Sequence, residues 1–333
     1  MKKTKADFNF VYGVFKSRER ELIDDAKLAS LFSSSSFEEA VAQLPDSPFS
    51  HELNRVGGEG GIDAAIKLET SIITDFLTLN SPSRELRSLV FLPWDYFNLK
   101  VVILSKLYEK KNDALFGPEG DLSVEDLKGY SEEMDFIMLP SAIYDSLQEA
   151  WIAYYEEDKN SQAFEFALDR QKNLHLLKIA FDTESKELLK LFKSIDEIKI
   201  GEVLIRGKNA NLPWSIVKYA LTGFSGISRI EEMYSSVPQE WNGFTASLRE
   251  TPLKRILNDF SGGVDVSETL LREKRDLYTL IEKWKYYPPG IEYSYYFLTR
   301  KLSDLYNIRM ILIGKLKNID NNILKKRIVN VYI

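Results

Sequence analysis

The sequence predicts an all-α protein made of three similar helical bundles. Three observations point there. Apolar residues recur at helical spacing nearly everywhere. Sustained period-two alternation, the mark of a half-buried strand, is scarce. One helix is written three times, the copies about 105 residues apart. A period that long is outside the range of solenoid repeats and reads as similar domains.

The first copy runs Trp94-Asp95-Tyr96-Phe97-Asn98-Leu99-Lys100 into Val101-Val102-Ile103-Leu104-Ser105-Lys106. The third runs Asp304-Leu305-Tyr306-Asn307-Ile308-Arg309 into Met310-Ile311-Leu312-Ile313-Gly314-Lys315. Both place an Asn, an aliphatic and a cation in succession, then four apolar residues, a small residue and a Lys. A degenerate middle copy, Lys199 to Lys208, puts Ile200 where Asn98 and Asn307 stand.

The remaining elements follow in chain order. Val56-Gly57-Gly58-Glu59-Gly60-Gly61 reads as a flexible interhelical loop. Asn80-Ser81-Pro82-Ser83 separates two helices, with Ser83 and Glu85 as start signals. Pro93-Trp94-Asp95 opens the first repeat helix, because proline is tolerated in a first turn. The loop Phe116 to Ser123 ends a first domain, 1–123. Ile143, Leu147, Trp151 and Tyr154 form one stripe of the second domain, 124–228, which ends in the Gly223-Phe224-Ser225-Gly226 turn. In the third domain, 229–333, Leu270, Leu277, Ile281 and Trp284 share a face. So do Leu298, Leu302, Leu305, Ile308 and Leu312. Ser261-Gly262-Gly263 and Tyr287-Pro288-Pro289-Gly290 break that domain internally. Each third holds a helix, a short polar break and the repeat helix.

Composition excludes several functions. The formal charge is -6 and the pI about 5.3, so the excess of Lys and Arg that marks a nucleic-acid binder is missing. With no cysteine there can be no disulfide, thiolate metal site or cysteine nucleophile. Only His51 and His175 could add imidazole to a metal site, and none is expected. The basic start Met1-Lys2-Lys3-Thr4-Lys5 is followed by Ala6-Asp7-Phe8, so no secretory leader is expected. No apolar run approaches the roughly 20 residues needed to span a bilayer, so direct membrane insertion is not expected either.

Other clusters also lack chemistry. The glycine run has neither Gly-Lys-Ser/Thr nor a preceding strand, so it is no phosphate loop, and Gly207-Lys208-Asn209 fails the same way. Asp24-Asp25, Glu132-Glu133, Glu156-Glu157-Asp158 and Glu231-Glu232 are adjacent pairs. Neighbours on a helix do not converge as an acid/base pair must, so these read as solvated faces. His175 reads as a packed or surface histidine. No cofactor is expected.

The closing stretch Gly290 to Leu316 resembles the C-terminal signature of the C subunit of prokaryotic V/A-type (vacuolar-type) rotary ATPases, called the d subunit in eukaryotes. Gly290, Glu292, Lys301, Asp304, Asn307, Ile308, Arg309, Gly314, Lys315 and Leu316 match it, and Leu302 departs where the family often has Glu. Asp95-Tyr96-Phe97-Asn98-Leu99-Lys100 and Ala167-Leu168-Asp169-Arg170 are similar to segments of the family's first and second domains. The resemblance implies three bundles in a pseudo-threefold funnel that caps the membrane rotor ring on its cytoplasmic side. It implies central-shaft subunits and rotor-ring subunits as partners, and a peripheral place at the inner face of the membrane. It implies no nucleotide and no catalysis, only coupling of shaft to ring during ion transport. The alternatives are an all-helical scaffold of another complex and a helical enzyme with a carboxylate metal site.

Candidate partner-binding or domain-packing residues are Asn98, Lys100, Asn307, Arg309, Lys315, Tyr295 and Tyr296. Their polar groups meet shaft or ring in one reading, and fix helix register within the chain in the other. Tyr286-Tyr287 with Tyr293-Tyr295-Tyr296 fits an interface and a domain-capping core equally.

Overall fold

The computed structural model describes residues 7–110, 115–133, 135–246, 248–325 and 328. The basic start and the side chain of Glu133 lie outside the described residues. Those described form helices and turns without a strand, so the all-α expectation holds. The α-helices are α1 Phe8–Arg18, α2 Asp25–Ser33, α3 Phe37–Ala42, α4 Pro48–Val56, α5 Gly58–Asn80, α6 Arg84–Leu107, α7 Val124–Glu133, α8 Ser141–Glu156 and α9 Ser161–Asp182. They continue as α10 Lys186–Asn209, α11 Trp214–Val217, α12 Ile227–Ser235, α13 Trp241–Thr245, α14 Pro252–Ser261, α15 Val266–Glu282, α16 Ile291–Leu316 and α17 Asn321–Lys325.

Local chemistry sets the helix starts. The Asp7, Asp24 and Ser185 side chains accept from Phe10 N, Lys27 N and Leu188 N, each satisfying a first-turn donor. Ser47 and Ser50 cap each other reciprocally, with Pro48 in the first turn of α4.

Two expectations are corrected. Pro93 does not open the repeat helix; it lies inside α6, which begins at Arg84. The Ser83 hydroxyl accepts from Leu86 N at 3.0 Å and fixes the start there. The glycine run is not a flexible loop. Gly57, at φ 74°, alone separates α4 from α5, and Gly58 to Gly61 already belong to α5. A Cβ at Gly61 would lie 3.0 Å from the Leu53 carbonyl, so glycine there permits a close helix junction.

The chain divides into two units. The first joins the residues up to Arg87 to those from Tyr278 onward, so it draws on both ends of the chain. Its centre is α16, whose Leu305, Ile308, Ile311 and Leu312 pack with Leu31, Phe32, Phe49, Leu53, Ile62 and Ala65 from the N-terminal helices. Burying such a cluster is the main source of stability available to short helices, which are marginal alone. The second unit is Ser88 to Leu277. In it α9 packs on α8 and α10, and α10 packs on α14. Its stripe residues Ile143 and Leu147 are buried, as are Leu270 and Leu277. Among the described residues α6 is the one helix long and apolar enough to cross a membrane, but 61% of its most apolar window is buried in the protein, as suits a core helix.

Candidate functional site

The three repeat helices are α6, α10 and α16, and they end alike. Three residues after Lys106, Lys208 and Lys315 the chain turns left-handed, at Glu109 (φ 52°), Asn211 (φ 54°) and Asn318 (φ 52°). In each, the next amide bonds back to the residue before the lysine. Lys110 N donates to Ser105 O at 2.9 Å, Leu212 N to Gly207 O at 2.9 Å and Ile319 N to Gly314 O at 2.8 Å. This is the Schellman closure, which satisfies otherwise orphaned carbonyls.

The lysines themselves do one job. Lys106 Nζ donates to Glu132 O at 3.4 Å, and Lys208 Nζ to Tyr234 O at 2.7 Å. Lys315 Nζ donates to Phe32 O at 2.7 Å and Ser34 O at 2.5 Å, with Asn321 Oδ1 at 3.2 Å. Each backbone acceptor lies at the C-terminal end of a short helix, α7, α12 or α2. A cation there meets unpaired carbonyls and the negative end of the helix dipole.

Sequence reasoning missed an acid eleven positions before each lysine: Asp95, Glu197 and Asp304. Asp95 accepts from Asp121 N and Leu122 N at 3.3 and 3.0 Å, just ahead of α7. Asp304 accepts from Ile23 N at 2.8 Å, just ahead of α2. Glu197 accepts from Leu253 N at 3.4 Å in the first turn of α14. In the first and third copies the repeat helix therefore holds one short helix at both ends, by an acid at its start and a lysine at its finish. In the middle copy the two grips fall on different helices.

The predicted residues are mostly internal. Asn98 is fully buried; its amide donates to Pro118 O at 2.8 Å and its oxygen accepts from Gly117 N at 2.9 Å. It pins the 116–120 loop by both backbone polarities. Lys100 Nζ meets Asp169 Oδ2 at 2.8 Å and joins α6 to α9. Burial would raise Asp169, but Lys172 and Lys100 outweigh it and hold the carboxyl below its ordinary value. Asn307 is buried. Arg309 reaches Asp63 at 3.3 Å from a half-exposed position. Tyr295 and Tyr296 are buried, and burial pushes the Tyr295 hydroxyl up to about 12. The tyrosine cluster thus divides. Tyr293, Tyr295 and Tyr296 sit in the core, whereas Tyr286 is 84% exposed. The aromatic residue before each asparagine, Phe97 or Tyr306, is 45% or 37% exposed.

A compensated charge cluster supports α16. Arg18 reaches Glu21 at 2.8 Å and Glu69 at 2.7 Å, and Lys301 reaches the same two acids at 3.0 Å each. Glu69 is fully buried and Lys301 nearly so. Next to it Asp304 lies 3.6 Å from Arg300, and burial lifts its carboxyl to about 6 against that attraction.

That shift carries a testable sign. An acid whose folded pKa exceeds its unfolded value of 3.8 binds its proton more tightly when folded. Its contribution to stability is therefore full below about pH 4 and is lost as pH rises to about 6. Asp304→Asn does not titrate there. Relative to wild type its stability is expected to climb over that window by up to about 3 kcal/mol. Urea melts of both chains across the window check it; a constant gap would show that Asp304 titrates normally.

Among the described residues no group of three or more His, Asp or Glu is arranged to hold a metal ion. The polar contacts repeated at the three helix ends join elements within the chain. The sequence model of the family described as ATP synthase (C/AC39) subunit matches residues 11–327. The C subunit of the A-type ATP synthase from Methanocaldococcus jannaschii is 24% identical over 338 residues, covering 94% of this chain and 84% of that protein.

Proposed function

The chain belongs to the ATP synthase (C/AC39) subunit family, and from that premise we propose that it is a non-catalytic central-rotor subunit of a V/A-type rotary ATPase. It joins the central shaft to the membrane rotor ring during ion transport, at the inner face of the membrane and through the ring. The match over nearly the whole chain is the observation that carries this reading.

The physical chemistry suits the task. A torque joint needs stiffness and wide contacts, not a reactive pocket. Packed helices resist deformation. Three helices with the same closure and the same lysine grip support the division into bundles 1–123, 124–228 and 229–333 in a pseudo-threefold funnel. The burial of Asn98, Asn307, Tyr295 and Tyr296 supports a bundle-packing role for them. Phe97, which is exposed, is the better candidate for partner contact.

Affinity purification of the tagged chain from detergent-solubilised membranes tests this. Shaft and ring subunits are expected to co-purify, and the isolated chain to hydrolyse no ATP. Recovery of an unrelated set of proteins would favour a scaffold. Turnover that vanishes on mutation of an acid pair would establish an enzyme.

A further inference from the structure

Packing on α9 accounts for one side of α8, where Ile143, Ser146, Leu147, Ala150 and Ala153 are buried. Along the other side Asp145, Gln148, Glu149, Ile152, Tyr155 and Glu156 step by three and four, and all are exposed. Ile152 is 49% exposed and Tyr155 64%. The Tyr155 ring is braced: its centroid lies 6.1 Å from that of Trp151 and 5.2 Å from that of Tyr154. The turn entering α8 adds to the apolar surface. Phe136 and Leu139 are buried, and Leu139 N donates to Phe136 O at 3.0 Å, so Ile137 and Met138 are held between them in solvent. Single exposed apolar residues are ordinary, but four on one helix and its entering turn are the concentration that marks an interaction surface.

Charge selects among the occupants. Helix α8 carries Asp145, Glu149 and Glu156 and neither Lys nor Arg. Glu156 accepts from Tyr219 Oη at 2.8 Å, whereas Asp145 and Glu149 meet no cation among the described residues. This face repels an anionic lipid surface. It also repels a second copy of a chain whose formal charge is -6. A cationic protein segment is attracted.

We propose that the outer face of α8 is a docking surface for a Lys/Arg-rich segment of a neighbouring subunit, whose apolar side chains cover Ile152 and Tyr155 and whose cations meet Asp145 and Glu149. The proposal rests on the reading of the chain as a motor subunit. Tyr155 is the anchor, because a large ring already braced loses little freedom on contact. Glu149 and Asp145 precede Ile152 by about 5 and 10 Å along the helix axis, so they form a polar margin to the apolar centre.

Photo-cross-linking in the motor complex purified from membranes tests this. The full chain carrying p-benzoylphenylalanine in place of Tyr155 is expected to cross-link to a peptide of another subunit in which Lys and Arg outnumber Asp and Glu. Asp145→Lys with Glu149→Lys is expected to lower the yield at least about fivefold, with an unchanged thermal melt of the isolated chain, because both acids are exposed. Asp145→Glu with Glu149→Asp is expected to retain the cross-link. Should the photoreactive residue at 155 disturb folding, it is placed at Ile152 instead. Shaft and ring subunits that co-purify without a cross-link from either position would overturn the proposal and leave the motor reading intact. Cross-links to lipid, to a second copy or to an acidic peptide would overturn it likewise. If no motor subunit co-purifies, the reading beneath the proposal fails, and the proposal with it.

Discussion

Lys301→Met is expected to destabilise the unit containing α16 by about 3–5 kcal/mol. The reason is charge balance in a place without water. Arg18 and Lys301 together compensate Glu21 and Glu69. With the ammonium gone, one guanidinium faces two carboxylates, and Glu69 is fully buried. The Glu69 Oε2 atom already lacks a hydrogen-bond partner, so the site has no spare donor to recruit. Breaking a buried pair costs far more than replacing both members. Lys301→Met with Glu69→Leu is therefore expected to recover much of the loss. Trp284 is the sole tryptophan of residues 1–87 and 278–333, so its fluorescence during urea unfolding reads this unit once the other four are replaced by Phe. A single-variant loss under about 1 kcal/mol, typical of an exposed pair, would show the cluster to be water-accessible.

The second large effect is expected at Asn98→Leu, about 2–4 kcal/mol of destabilisation in the unit 88–277. Leucine nearly matches the shape but strands the Gly117 amide and the Pro118 carbonyl, which Asn98 now satisfies. Leaving a buried donor or acceptor unpaired costs its full desolvation penalty, and here there is one of each. Arg309→Leu is the contrast. Its pair with Asp63 is half-exposed at both ends, so a change within about 1 kcal/mol is expected. Thermal melts of the two variants rank them. Equal losses would mean that burial does not decide the cost at these repeat positions.

Much of this architecture is legible in the primary structure because it depends on local periodicity. Ile143, Leu147, Leu298, Leu305, Ile308 and Leu312 are buried, Trp151, Tyr154 and Leu302 partly so, and the Gly262, Tyr287 and Gly223 breaks fall between helices. Local punctuation misleads where tertiary packing outweighs it. Pro93 looks like a helix start, yet α6 runs through it because Ser83 already caps the helix. Gly57 to Gly61 looks like slack, yet all but Gly57 are helical, and the missing side chain at Gly61 lets α4 and α5 meet closely.

At the candidate site the lysines and asparagines are visible as a repeat, but their partners are not. The acid at Asp95, Glu197 and Asp304 is a readable signal, three residues before Asn98, Ile200 and Asn307. It is easily missed because the middle copy is degenerate: its recognisable stretch starts at Lys199, beyond Glu197. The pairing of Lys315 with Phe32 has no local signature at all. It joins opposite ends of the chain, and no spacing rule brings those together. The Glu69 cluster is hidden likewise, since its members come from α1, α5, α16 and the turn after α1.

The position of the chain within the intact motor decides its role most directly. Electron cryo-microscopy of the membrane-bound complex is expected to place it between the central shaft and the rotor ring, in contact with both. Density for the chain on the stationary outer parts, or a complete shaft-to-ring junction formed without it, would contradict the rotor-connector assignment.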